Sequence, residues 1–257
     1  MSAPDTVTAG LIVIGDEILS GRTKDVNIGT IADFCTELGI ALTEVRVVSD
    51  VHEDIVDAVN ALRARYTYVF TTGGIGPTHD DITADAIASA FGVALPINPE
   101  ARAMLEARWA TTNTEATEAR LRMARIPEGA DLIVNAVSAA PGFRIGNVHV
   151  MAGVPKIMQA MLESIAPTLE GGRRMLSVTI ACRVGEGAIG GPLGRLQAEY
   201  PDVKMGSYPQ MGTGAVHTEL VLRSPDPDRL AVAADAVRAM VSEAHRAAGL
   251  PAADEPY

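Results

Sequence analysis

The chain has 257 residues, 47% of them apolar, enough to build one large domain or two smaller ones around buried cores. A formal net charge of −11 argues against an extended nucleic-acid or anionic-membrane surface, since either needs clustered Lys and Arg to displace counterions. No apolar run approaches the roughly 18 residues of a membrane span, and no charged leader with an apolar core precedes the first strand, so a cytoplasmic protein is expected. Cys35 and Cys182 are the only cysteines and read as small core residues.

Leu11 to Ile14 form the centre of a first strand, followed by the turn-rich segment GDEILSGRTKD. Asn27 opens a helix that places Ile28, Ile31, Ala32, Cys35 and Leu38 on one face and closes at Gly39. Leu42 to Val48 make a second strand. Asp50 and Glu53 have the spacing of a capping box for the next helix, whose Ile55, Val56, Val59 and Leu62 point inward. Tyr68, Val69 and Phe70 predict a buried strand ending at Thr71 and Thr72. Alternating strands and helices imply crossover connections and a largely parallel sheet covered on both faces.

The stretch TTGGIGPTHDDIT, Thr71 to Thr83, carries the strongest chemical signal. Apolar Ile82, Ala86, Ile87 and Ala90 start a helix near Asp81 or Ile82, so the loop lies between strand and helix, where free amides and the helix dipole favour an anion. Gly73, Gly74 and Gly76 permit close backbone approach, and Pro77 stiffens the turn. Of Asp80 and Asp81, one alone suffices to cap the helix. A second carboxylate beside a pyrophosphate calls for a divalent cation such as Mg²⁺, commonly held by one or two carboxylates plus substrate phosphates. In parallel sheets ligands bind beyond the carboxyl ends of the strands, so Asp16, Glu17 and Asn27 are expected to face Asp80 and Asp81 across one cleft. His79 is a minor candidate for proton transfer and more simply a solvent-facing loop residue.

Pro99 to Thr111 and Glu115 to Ala124 predict two helices with a solvated charged face, one held down by Trp109. Leu132 to Asn135 is strand-like, a hairpin spans Phe143 to Met151, and a turn at Gly153 and Pro155 leads into a helix with Ile157, Met158, Met161, Leu162 and Ile165 inside. After a break at Pro167 to Gly172 the pattern becomes β-α-β-β-α: strand Leu176 to Cys182, helix Ala188 to Tyr200, strands Val203 to Tyr208 and Ala215 to Leu222, helix Asp228 to Ala247. Domains at 1–170 and 171–257 follow.

The glycine loop, the upstream GDEILSG with Asn27, and MAGVPKIM at Met151 to Met158 resemble the molybdopterin-binding domain superfamily (MoaB/Mog-like). The resemblance is closest to its CinA (competence/damage-inducible protein A) branch and to the related domain of eukaryotic FAD synthase. The tail around MGSYPQMGTGAVHTELVLRSPDP is similar to the small KH-like domain of that branch, so the resemblance covers essentially the whole chain. It implies a three-layer α/β/α sandwich with a mostly parallel sheet, plus a small α+β KH-like second domain. It also implies one pocket for a pterin phosphate or nucleotide diphosphate, built from Gly15, Asn27, Thr72, Gly73, Gly74, Gly76, Pro77, Thr78, Thr83, Gly153 and Pro155.

Members of the branch are described as metal-dependent pyrophosphatases acting on ADP-ribose or FAD, which implies catalytic Asp80 and Asp81 and a divalent metal on Asp81, Asp80 and Glu17. The alternative is a molybdopterin-binding role in cofactor biosynthesis without hydrolysis. Many relatives carry Pro where this chain has Ala152, and the chain ends too early for the C-terminal amidase domain of larger CinA proteins. A homo-oligomer without a nucleic-acid or membrane partner is expected. Gly191-Pro-Leu-Gly194 fits the GXXG spacing of RNA-binding KH modules. The segment from Glu170 onward nevertheless has nine basic against eleven acidic residues, so a structural or dimerising role is the simpler reading.

Overall fold

The computed structural model describes residues 7–210 and 217–250, which fall into two compact units, Met1–Arg173 and Arg174–Tyr257. In the first unit the elements run β1 (Val7–Ile14), α1 (Asp16–Leu19), α2 (Asn27–Glu37), β2 (Ile40–Val48), α3 (His52–Arg63), β3 (Tyr68–Thr72), α4 (Thr83–Phe91), α5 (Pro99–Thr112), α6 (Glu118–Leu121), β4 (Asp131–Ile133), β5 (Gly142–Ile145), β6 (Val148–Met151) and α7 (Pro155–Ile165). The strands form one sheet in the order β2-β1-β3-β6-β5-β4, parallel from β2 to β6 and antiparallel at β5 and β4.

Each face of the sheet carries its own apolar layer. Ile55, Val59 and Leu62 of α3, Ile87 of α4 and Leu105 and Trp109 of α5 cover one side; Ile31 and Cys35 of α2 and Met158, Met161 and Leu162 of α7 cover the other. This is the α/β/α sandwich with a mostly parallel sheet. Because α2 and α3 leave on opposite faces, the chain reverses its winding between β1 and β3. Such a switch point opens a crevice beyond the carboxyl ends of those two strands.

Three local expectations give way to tertiary contacts. The segment after β1 contains a single helical turn, α1, where the sequence suggests only turns. No capping box forms on α3: Val51 is its N-cap without a side-chain bond, and Asp50 instead accepts from the Asp16 amide at 2.9 Å. The helix expected over Glu115 to Ala124 is only the single turn of α6, capped by Thr117, followed by a 3₁₀ turn over Arg122–Ala124.

The second unit has β7 (Leu176–Cys182), α8 (Glu186–Glu199), β8 (Lys204–Gln210), β9 (His217–Ser224) and α9 (Pro227–Ala247), with an antiparallel sheet in the order β7-β9-β8. Ile180, Leu220 and Leu222 of the sheet pack against Ile189 and Leu193 of α8 and Leu230, Val237 and Val241 of α9. The expected strand start at Ala215 lies outside the described residues. Gly191 to Gly194 form no exposed loop: they lie inside α8 with Leu193 buried, which removes the geometric basis of a GXXG clamp. Among the described residues no helix is long and apolar enough to cross a membrane.

Candidate functional site

The glycine loop is fixed by contacts that only glycines permit. Gly73 has φ +103°, and a Cβ there would lie 2.1 Å from the Ile14 carbonyl oxygen; Gly74 has φ +66°, and its Cβ would lie 2.2 Å from the Thr83 hydroxyl. The end of β3 thus presses against the end of β1. On the other side, Gly73 donates to the Met151 carbonyl at 3.2 Å, and Gly153 packs against the Gly73 Cα. Thr83 closes the loop from behind: its hydroxyl donates to the Gly73 carbonyl at 2.9 Å and its amide to the Gly74 carbonyl at 3.0 Å. Fully buried, Thr83 is a staple of the loop and lines neither of the cavities described below.

These contacts hold the loop open to a ligand. Among the described residues the amides of Gly74, Ile75 and Gly76 have no protein acceptor. All three residues line a cavity of about 540 Å³, in the range of small-molecule sites. Pro77, Asp81, Glu17, Gly153 and Pro155 also line it, so the β1 turn, the β3 loop and the turn before α7 meet there as expected. A second chamber of about 70 Å³ shares Glu17, Thr23, Gly153 and Pro155 with it and adds Asn27, Thr72, Lys24 and Asp25. Asn27 spans the two turns, its Nδ2 donating to the Gly153 carbonyl at 2.8 Å.

The acidic residues do not gather as the sequence suggests. Asp81 lines the large cavity, but its Oδ2 accepts from the Thr78 amide at 2.8 Å and from the Thr78 hydroxyl. Asp80 lies outside both cavities, its side chain 60% exposed, next to His79, which is 98% exposed. Neither aspartate caps α4. Adjacent residues on a tight turn point in different directions, which separates a pair that looks joined in sequence. Asp16 faces Asp50 rather than the cavity. Burial pushes the Asp50 carboxyl up, the Asp16 amide pulls it back, and the charges of Asp16, Glu17 and Asp80 add to the rise. Gly15 supports this turn through its amide, which donates to the Val48 carbonyl at 3.1 Å. Among the described residues no group of three or more His, Cys, Asp and Glu is arranged to hold a metal by itself.

Arg122 is a site residue that sequence reasoning missed. Its segment reads in sequence as a solvated charged face, yet Arg122 donates through Nη2 to the Asp81 carbonyl at 3.2 Å, and Arg125 pairs with Asp85. Met123 and Ser138 line the large cavity itself, which Arg122 only braces through Asp81. No periodicity or motif marks these positions, because they arrive from a chain excursion far from the loop in sequence.

The geometry defines a class: an open α/β protein whose switch-point crevice is lined by unpaired glycine-loop amides. Residues 10–171 match the family described as "Probable molybdopterin binding domain", and residues 174–247 match "FAD synthase, middle domain". A protein from Archaeoglobus fulgidus is 34% identical over 202 residues, covering 79% of this chain and 86% of that one. A CinA-like protein from Desulfosudis oleivorans is 32% identical over 209 residues, covering 77% of this chain and 51% of that one. The crystal structure of the protein CinA from Thermoplasma acidophilum superposes with a TM-score of 0.59 at 34% identity, covering 64% of this chain and 99% of that one. The chain belongs to the molybdopterin-binding domain family, in a CinA-like arrangement with an FAD-synthase-middle type of second domain. It spans 63% of the length of a Pyrobaculum calidifontis relative to which it is 39% identical.

Proposed function

We propose that this protein binds a nucleotide diphosphate, of the class of ADP-ribose or FAD, and cleaves its pyrophosphate bond with the help of a divalent cation. The observation that carries the reading is the row of unpaired amides at Gly74, Ile75 and Gly76 on the wall of the 540 Å³ cavity, which Asp81 and Glu17 also line. Anion recognition by backbone amides suits a chain whose net charge is −11, since the positive potential is local.

The residues fit a cation that the ligand helps to hold. Glu17 and Asp81 line the same cavity, and one or two carboxylates completed by phosphate oxygens are an ordinary Mg²⁺ environment. A cation bound there would polarise a phosphoryl oxygen and lower the pKa of a coordinated water. The protein's part is to seat the diphosphate on the loop amides, fix the cleft through Asn27 and Thr83, and free the Asp81 carboxylate from Thr78. Asp80, exposed beyond the cavity, contributes field rather than contact in this reading. A cytoplasmic setting belongs to the same reading, both cysteines being free and buried.

The test is monophosphate release from ADP-ribose and FAD, with Mg²⁺ and with chelator, for the wild type and for Asp81→Ala and Asp80→Ala. Release that requires metal, falls at least about a hundredfold in Asp81→Ala and changes little in Asp80→Ala supports the reading. Release indifferent to chelator and to Asp81 overturns it. Titration of molybdopterin against ADP-ribose separates hydrolysis from a cofactor-binding role.

A further inference from the structure

We infer that the 70 Å³ chamber at the amino end of α2 is a receptor for vicinal hydroxyls, and that it seats the ribose of a nucleotide whose phosphates lie on the glycine loop; the identity of the nucleotide rests on the proposed function. Two buried polar atoms carry the inference. Asn27 is 4% exposed and Thr72 1%, both line the chamber, and Asn27 Oδ1 and Thr72 Oγ1 have no hydrogen-bond partner among the described residues. Buried polar atoms left unpaired are rare because each loses its hydration without replacement, and two of them on residues that line one chamber point to a ligand.

The chemistry of that ligand follows from the donors and acceptors already committed. Asn27 Nδ2 is held by the Gly153 carbonyl, and flipping the amide would set two oxygens face to face, so Oδ1 is fixed as an acceptor looking for a donor. The acceptor Oδ1 and the Asp25 carboxylate repel a phosphate, and the Lys24 ammonium disfavours a cation within the chamber; Glu17, on the wall shared with the large cavity, is left to the metal. Asp25 is partly engaged, its Oδ1 accepting from the Ile28 amide at 2.8 Å. What remains is a neutral group that both donates and accepts. Adjacent hydroxyls satisfy Asn27 Oδ1 and Thr72 Oγ1 together, and a chamber with room for only a few water-sized groups takes a sugar edge rather than a fused ring. Its wall is continuous with that of the large cavity through Glu17, Thr23, Gly153 and Pro155, so one ligand can reach both.

Calorimetric titration of the full chain with Mg²⁺ and three probes, ADP, 2′,3′-dideoxy-ADP and inorganic pyrophosphate, tests this in the wild type, Thr72→Val and Thr72→Ser. Wild type is expected to prefer ADP over the dideoxy nucleotide by about tenfold. Thr72→Val should erase most of that preference, while pyrophosphate affinity stays within about twofold and Thr72→Ser retains the preference. Equal binding of the two nucleotides by wild type, or a Thr72→Val loss shared equally by all three probes, overturns the hydroxyl receptor. If pyrophosphate still binds in that case, the glycine-loop reading stands alone; if neither pyrophosphate nor ADP binds wild type, both readings fall.

Discussion

The Arg122 guanidinium donates to the main-chain carbonyl of Asp81 at 3.2 Å, tying a 3₁₀ turn to the acidic end of the glycine loop across 41 residues of sequence. Its Nε is buried without a partner among the described residues, so the side chain is held by position more than by saturation of its donors. Arg122→Ala removes this anchor. Stability should fall by about 1 kcal/mol, the scale of one hydrogen bond. Hydrogen exchange should accelerate over residues 76–82, with little change in α9.

The two glycines that differ most in surroundings should differ most in cost. At Gly73, φ +103° and the Ile14 carbonyl oxygen 2.1 Å from the position of an added methyl make alanine both strained and blocked by backbone. Gly73→Ala should destabilise by more than about 3 kcal/mol in urea unfolding. Gly92, the left-handed C-cap of α4, has φ +66° but open space around its Cβ position, so Gly92→Ala should cost about 1 kcal/mol.

His149 gives the first unit a pH signature. It is 1% exposed against the rings of Tyr68 and Phe70, and burial, reinforced by the Arg144 charge, pushes its imidazole down from 6.5 to about 4. Between those values the unfolded chain binds a proton that the folded chain refuses. The stabilising contribution is therefore complete above pH 6.5 and is lost as pH falls toward 4, by about 3 kcal/mol in all. Chemical denaturation of wild type and His149→Phe from pH 8 to pH 4 should show the stability difference growing in favour of the variant as pH drops.

Asn98 caps α5, its side-chain oxygen accepting from the Glu100 and Ala101 amides at 3.0 Å each. Asn98→Ala should lower stability by about 1 kcal/mol, and Asn98→Asp should retain most of it. Thermal unfolding followed by circular dichroism would register the difference.

Elements whose apolar residues repeat over several turns are legible in the sequence. Helices α2, α3, α7 and α9 and strands β1, β3 and β7 fall within a few residues of where periodicity puts them, because burial of one face dictates both the pattern and the structure. Short elements are not legible in this way. The 3₁₀ turn at Arg122 and the single turn α1 have too few residues for a period to show. The capping box fails for a related reason: Asp50 has a better donor in Asp16, a residue 34 positions away.

By itself the sequence determined that Gly73, Gly74 and Gly76 form a loop between strand and helix, since the β-favouring run Tyr68 to Phe70 precedes them and apolar residues recur at helical spacing from Ile82. Only the tertiary structure decided which carboxylates reach the cavity. Spacing says how far apart two residues are along the chain, but the direction of each side chain on a tight turn is set by what else is within hydrogen-bonding reach. Thr78 bonds Asp81 at the cavity, Asp80 stays 60% exposed outside it, and Arg122 arrives from a segment with no local link to either.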